Sequence, residues 1–312
     1  MSLHRSSGRW QLGFGLALLT TFLWGILPIA LTIALQSLNP YTLTWFRFLV
    51  SFGLLAVYLA GSSQLPNLRN LSARLWSWLA IATIFLGLNY LLFLEGLSRT
   101  SPATGGVFNP LSSTLMGLGA LAIFKERYTL RQWVGLGILL AGMMLFFQEQ
   151  LRTIASHVDR YLVGVSIFVV ASLAWAIYAL VQKQLLRTLP SSAIMLVIYG
   201  GSALLLTPMA TPQEIFTLDL FQWAILGFCT LNTLVAYGAF AEALEHLDAS
   251  RVSAIIALTP IITISAVLAL SFLFPKLDVP NHLSAVAIVG AGFVVVGSLT
   301  IALGKIQPIP SD

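Results

Sequence analysis

Leu12–Leu35 reads LGFGLALLTTFLWGILPIALTIAL, twenty-four residues with no charged side chain among them. A helix rises about 1.5 Å per residue, so about 20 apolar residues cross the roughly 30 Å of a bilayer's hydrocarbon. This stretch is long enough. Arg5 and Arg9 precede it in the manner of a signal peptide, but a signal h-region is only about 7–15 residues long and ends at a small-x-small site. Neither feature fits, and many similar stretches follow, so it reads as the first membrane span.

Composition extends that reading to the whole chain. Of 312 residues, 58% are hydrophobic and 9% charged, against about 25% charged in a soluble domain. Sixteen Lys and Arg with eleven Asp and Glu cannot cover the solvated surface of one or two soluble domains. The net charge of +5 forms no basic run and no basic stripe among aromatics, which speaks against nucleic acid as a partner. The one cysteine, Cys229, lies inside an apolar run, so an intrachain disulfide is excluded and the residue reads as a small buried hydrophobe.

Nine further segments resemble the first: Tyr41–Ala60, Leu75–Leu97, Ala103–Phe124, Leu130–Phe147, Tyr161–Val181, Ala193–Ala210, Phe221–Leu244, Val252–Phe274 and Leu283–Leu303. None alternates apolar and polar residues as a barrel strand does. The expected fold is an all-α polytopic membrane protein with ten transmembrane helices and short loops, and its solvent partner is the lipid bilayer. Cytoplasmic loops carry the Lys and Arg excess. With both termini inside, Arg5, Arg9, Arg69, Arg74, Lys125, Arg127, Arg131, Lys183, Arg187, Arg251 and Lys305 are internal, and only Arg99, Arg152, Arg160 and Lys276 are external. The N- and C-termini are therefore expected in the cytoplasm.

The chain also repeats itself. Phe22-Leu23-Trp24-Gly25-Ile26 aligns with Leu173-Ala174-Trp175-Ala176-Ile177 at an offset of 151. Tyr90, Glu95 and Leu97 align with Tyr237, Glu242 and Leu244 at 147, and Pro110, Phe124 and Gly142 with Pro260, Phe274 and Gly292 at 150. The repeat unit then has five helices, residues 1–150 and 151–312. Five is odd, so the second copy enters the membrane from the opposite side, the inverted design of many secondary transporters, whose site lies at the midplane between the repeats.

Leu23-Trp24-Gly25, Pro40 with Arg47-Phe48, Asn109-Pro110, Lys125-Glu126-Arg127 and the glycines Gly135, Gly137 and Gly142 occur in an order that resembles the EamA-type ten-helix family of the drug/metabolite transporter superfamily. The likeness spans nearly the whole chain. It departs at Phe274-Pro275-Lys276, where the first repeat has Phe124-Lys125-Glu126. The resemblance implies a basket-shaped exporter or exchanger of amino acids, small metabolites or drugs in a bacterial inner membrane. It also implies that helices 1–4 and 6–9 surround the cavity while helices 5 and 10 buttress it.

Candidate residues follow from polarity in an apolar setting. Arg47 is the one Lys or Arg well inside a span. Such charges are costly and face a cavity or a partner, so Arg47 reads either as an anion anchor or as a snorkelling cap on a neighbouring helix. Trp24, Asn89, Tyr90, Asn109, Trp175, Tyr178, Asn232 and Tyr237 lie near helix middles, where an aromatic box with a few amides suits a neutral or zwitterionic small-molecule substrate; each also reads as helix–helix packing. Pro28, Pro110 and Pro260 remove backbone hydrogen bonds and mark either moving elements or static kinks. Glu95 and Glu242 read as a gate or, with Arg99 and His246 four residues on, as ordinary helix-end pairs. Gly135, Gly137, Gly142, Gly290, Gly292 and Gly297 make smooth faces for packing within the chain or between copies. The oligomeric state stays open, with a monomer plausible.

Other classes fit less well. An intramembrane enzyme needs paired aspartates, a Ser/His dyad or an H-E-x-x-H helix, whereas His4, His157, His246 and His282 fall in tails, loops or helix ends and no Asp falls in a span. The expectation is a non-enzyme with no metal, no cofactor and no P-loop for ATP. A channel's charge ring or carbonyl filter is absent from the pattern. Asp159, Asp219, Asp248 and Asp278 belong to loops and Asp312 to the tail, so exchange or facilitated diffusion is expected ahead of proton-coupled drug efflux, the alternative, which relays through a central acid.

Overall fold

The computed structural model of the chain describes residues 9–66, 68, 71–124, 129–153, 158–247, 252, 255–273 and 284–303. Arg5, Arg69, Lys125, Glu126, Arg127, Arg251, Phe274, Pro275, Lys276 and Lys305 lie outside the described residues, as do His4, His157, His282, Asp248, Asp278 and Asp312.

The first five helices are α1 (Trp10–Ala34), α2 (Pro40–Gly61), α3 (Ala73–Arg99), α4 (Pro102–Phe124) and α5 (Leu130–Thr153). α6 (Val158–Leu185), α7 (Ser191–Leu206), α8 (Leu220–His246), α9 (Thr259–Leu273) and α10 (Ala285–Ala302) follow. No strand occurs among the described residues. Among the described residues seven apolar helical stretches are long enough to cross a bilayer, those of α1, α2, α3, α5, α6, α7 with the turn after it, and α8; α9 and α10 are apolar but shorter.

Local chemistry sets the helix ends. Asn39 caps α2 by accepting from the Thr42 N–H at 2.9 Å, with Pro40 as first helical residue. Asp219 and Gln222 close a capping box on α8. Asp159, expected in a loop, sits in the first turn of α6, where a carboxylate favours the helix dipole.

The span expected at Val252–Phe274 does not run as one helix. The backbone turns at 257–258 and α9 starts at Thr259, so Pro260 is its second residue, and Leu258 donates its N–H only three residues back, to Ile255 at 3.1 Å. Proline lacks an N–H and clashes with the carbonyl four residues earlier. Here that breaks the helix, whereas Pro28 and Pro110 remain inside α1 and α4.

Packing pairs α5 with α10, α2 with α7 and α4 with α9; α1 lies on α8 and α9, α6 on α3 and α4, α8 also touches α2, and α7 also touches α3. Large apolar side chains such as Val57, Leu204 and Phe272 point away from the bundle and are mostly exposed. A surface so apolar needs lipid around it, and the chain is an integral membrane protein. Several buried threonines satisfy their hydroxyls inside their own helices, as Thr21 does to Ala17 at 2.7 Å and Thr83 to Leu79 at 2.8 Å.

Two glycines mark where α9 comes closest. A Cβ on Gly25 would stand 2.5 Å from Ile262, and one on Gly106 2.7 Å from Thr263, whose hydroxyl donates to the Gly25 carbonyl at 2.7 Å. At the α5–α10 seam the obstacle is backbone rather than side chain: a Cβ on Gly142 would lie 2.6 Å from the Gly290 carbonyl oxygen. Gly135, Gly142, Gly290 and Gly297 therefore pack within the chain, while Gly137 and Gly292 face open space.

Candidate functional site

Helices α1, α2, α3, α4, α6 and α8 enclose a cavity of about 80 Å³ measured at the centres of water-sized groups. About 10–15 Å³ of such space holds one water, so the cavity suits about five to eight small polar or apolar groups. It is reached by one face of each helix. α1 contributes Trp24, Leu27, Pro28 and Leu31, spaced i, i+3, i+4, i+7, and α6 contributes Phe168, Ala171, Ser172 and Trp175 with the same total span.

The cavity gathers Trp24, Arg47, Asn89, Tyr90, Asn109, Trp175 and Tyr237 from the expected set, together with Pro28. The aromatic rings touch in sequence. Trp24 meets Tyr237 edge-on at 5.2 Å between centroids, Tyr237 lies 5.9 Å from Tyr90, and Phe240 contacts both Trp24 (5.4 Å) and Trp175 (6.4 Å). Asn89 donates to the Ala171 carbonyl at 2.9 Å, which joins α3 to α6 across the wall.

Arg47 is 2% exposed. Its Nε donates to the Thr233 hydroxyl at 3.0 Å and its guanidinium carbon stands 4.7 Å from the Tyr90 ring centre, a cation–π contact. The snorkelling arrangement weighed from sequence is not what the side chain adopts: it is buried at the cavity wall rather than extended to an interface.

Tyr178 and Asn232 do not line the cavity. Tyr178 is fully buried behind Trp175 with its hydroxyl on the Met195 sulfur at 3.6 Å. Asn232 is spent between helices, donating to the Leu23 carbonyl at 2.8 Å, and its Oδ1 is buried without a partner among the described residues. Pro110 and Pro260 lie outside the lining as well. Glu95 pairs with Arg99 at 2.9 Å and Glu242 with His246 at 3.2 Å, the i,i+4 arrangement at two helix ends, away from the cavity.

Sequence reading missed Leu27, Leu31, Phe93, Phe108, Ser112, Phe168, Ala171 and Ser172. The signal was available for several: Phe168, Ala171 and Ser172 precede Trp175 by seven, four and three residues, and Leu27 and Leu31 follow Trp24 by three and seven. A larger groove of about 500 Å³ between α1, α8 and α9 is lined only by apolar residues such as Ile29, Phe228 and Leu270. It has no group to orient a solute.

A lipid-embedded helical bundle around a small cavity of rings, amides and one cation defines a membrane transporter rather than an enzyme. The model of the EamA-like transporter family matches residues 11–148 and again residues 162–303, and the chain belongs to that family. An uncharacterized transporter of Haemophilus influenzae is 37% identical over 298 residues, 95% of this chain and 97% of that one. The uncharacterized inner membrane transporter YhbE of Escherichia coli is 38% identical over 297 residues, 94% and 92% of the two chains. A probable amino-acid metabolite efflux pump of Salmonella typhimurium is 22% identical over 266 residues, 80% and 84%. One solved crystal structure aligns with a TM-score of 0.64 at 15% identity over 94% of this chain and 97% of that one, a likeness of fold.

Proposed function

We propose that the protein is a secondary transporter that exports or exchanges amino acids or related small metabolites by alternating access through the cavity at Trp24, Arg47, Tyr90, Asn109, Trp175 and Tyr237. The observation that carries this reading is the cavity's makeup, mainly apolar walls with a few orienting polar groups. The Salmonella relative named as a probable amino-acid metabolite efflux pump points the same way.

The architecture in this reading is ten transmembrane helices in two inverted repeats, residues 1–150 and 151–312, with both termini cytoplasmic in a bacterial inner membrane. Three observations support the repeat arrangement. The family model matches once in each half. The main helix pairings keep their pattern when every helix is exchanged for the one five places along: α1 on α8 becomes α6 on α3, α1 on α9 becomes α6 on α4, and α2 on α7 maps to itself. Repeat-related rings meet at the cavity, Tyr90 beside Tyr237, with Trp24 and Trp175 both against Phe240. Groups related by a two-fold axis touch only next to that axis, which is where repeat transporters hold their substrate.

In this reading Pro28, in the wall, and Pro110 and Pro260, outside the lining, are the points where helices yield as the halves rock, and Glu95 and Glu242 stand at opposite membrane faces. Among the described residues no carboxylate lines the cavity, so exchange or uniport is favoured over proton coupling through a central acid. The test is uptake of labelled amino acids, nucleosides and small organic acids into proteoliposomes, with and without a pH gradient. Saturable, gradient-independent flux of amino acids or small acids is expected. Flux driven by the gradient refutes the coupling argument, and no flux for any solute refutes the transport reading.

A further inference from the structure

We infer that the Arg47 end of the cavity is a carboxylate-binding subsite, so that the transported solutes are small monocarboxylates, amino acids among them; this rests on the transport reading above.

Arginine keeps its charge at every working pH. Arg47 is buried, and among the described residues it makes no ion pair and only one hydrogen bond, from Nε to Thr233. That bond is fixed, because Thr233 passes its own hydroxyl proton to the Cys229 carbonyl at 2.9 Å. The Tyr90 ring under the guanidinium is held in turn by Phe48 at 4.6 Å and Tyr237 at 5.9 Å. One hydroxyl and one ring do not complete a cation in a water-poor interior, where charges are met by an anion or by several acceptors.

A second polar group lies beside it. The Tyr90 hydroxyl is buried, with the Tyr237 and Thr233 side chains as its polar neighbours, and makes no well-formed hydrogen bond among the described residues. Arg47 and Tyr90 both line the cavity. The two terminal amino groups of the guanidinium and the phenol O–H together offer charge-assisted donors in the fork geometry that a carboxylate accepts.

The count of charges narrows the class. Among the described residues Arg47 is the one charged side chain in the lining, so its complement carries a single negative charge: a carboxylate fits and a phosphate dianion leaves one charge unmatched. Asn109, Ser112 and Ser172 supply neutral partners for an amino or hydroxyl group, and Trp24, Phe108 and Trp175 a wall for a short apolar side chain. An organic cation meets only repulsion at the Arg47 end.

The experiment is uptake into proteoliposomes of labelled alanine, serine, valine and lactate, compared with the corresponding carboxamides and decarboxylated amines. Wild type is expected to prefer acid over amide by about 10- to 100-fold, the range for hydrogen bonds to a charged group. Arg47→Gln brings that ratio near one, and Arg47→Lys restores part of it. Tyr90→Phe keeps the ring and lowers the ratio several-fold, which keeps the test open if Arg47→Gln does not insert. The ratio is taken within each variant, so loss of folded protein does not move it. Wild type carrying amides and amines as well as acids, or Arg47→Gln keeping the preference, overturns the subsite and leaves transport standing. Absence of flux for every member of the panel overturns the transport reading itself.

Discussion

Arg47 stands over the Tyr90 ring, its guanidinium carbon 4.7 Å from the ring centre, and the two come from neighbouring helices α2 and α3. The contact joins a buried cation to the ring that also touches Tyr237 of the second half. Tyr90→Leu removes both the π face and the hydroxyl, and a desolvated cation–π contact contributes about 2 kcal/mol. A loss of thermal stability of about that size is expected in detergent, while Tyr90→Phe stays within about 0.5 kcal/mol of wild type. Equal melting temperatures for Tyr90→Leu and wild type contradict the contact's role.

Trp24 and Trp175 stand on the cavity wall from the two halves. Trp24→Ala and Trp175→Ala are each expected to reduce transport at least about tenfold, with membrane insertion retained, because each deletes a large ring from a small pocket. Transport assayed beside a surface-accessible tag in the same vesicles measures both at once. Wild-type rates in both variants remove the rings from the pathway.

The seam of α5 and α10 predicts a selective sensitivity. Gly142→Leu and Gly297→Leu drive a side chain into the facing backbone, Gly290 in one case and Gly135 with Leu139 in the other. Overpacking costs about 1–3 kcal/mol when side chains can move, and here the obstacle is backbone, so a loss at the top of that range or a failure to fold is expected. Gly137→Leu and Gly292→Leu, with open space beside them, serve as tolerant controls. A fluorescence-detected gel-filtration comparison of the four variants decides it.

Glu214 ties two loops together. Its carboxylate accepts from the Asn39 backbone N–H at 3.0 Å, the Asn39 amide at 2.8 Å and the Thr211 hydroxyl at 2.8 Å. Partial burial raises its pKa, but the bonds from Asn39 and Thr211 outweigh that, and the carboxyl titrates below its ordinary value. A lowered folded pKa means the stabilisation is fully present above the unfolded value and fades as pH falls through the folded one. Hydrogen exchange at residues 35–42 and 207–217 is expected to quicken below about pH 4, near the unperturbed carboxylate value, and Glu214→Gln is expected to lose that pH dependence.

How far the fold was legible depends on what each residue reports. Trp24 and Trp175 were found because the repeat offset marks them and helical period carries the reading to their neighbours. Tyr178 was not separable from them. It sits three residues after Trp175 in a helix that is apolar all round, and such a helix does not reveal which face meets a cavity and which meets another helix. Asn232 looked equivalent to Asn89 as a mid-helix amide, and only the packing of α8 on α1 turns it to the Leu23 carbonyl. Pro260 announced a break in regularity, yet whether the chain kinks or stops depends on the contact of Ile262 and Thr263 with Gly25 and Gly106, which lie more than 150 residues away in sequence. Arg47 stands out in the sequence as a charge inside a span, while the lack of a counter-ion among the described residues is visible only in three dimensions.

In the proposed transport cycle one cavity opens alternately to the two sides of the membrane. Ser172→Cys in a Cys229→Ala background puts a single thiol on the cavity wall, and a membrane-impermeant thiol reagent is applied from either side of oriented vesicles. Labelling from each side, slowed from both by a transported solute, is the expected result. Labelling from one side only, with the rate unaffected by any solute that is carried, contradicts alternating access through this cavity.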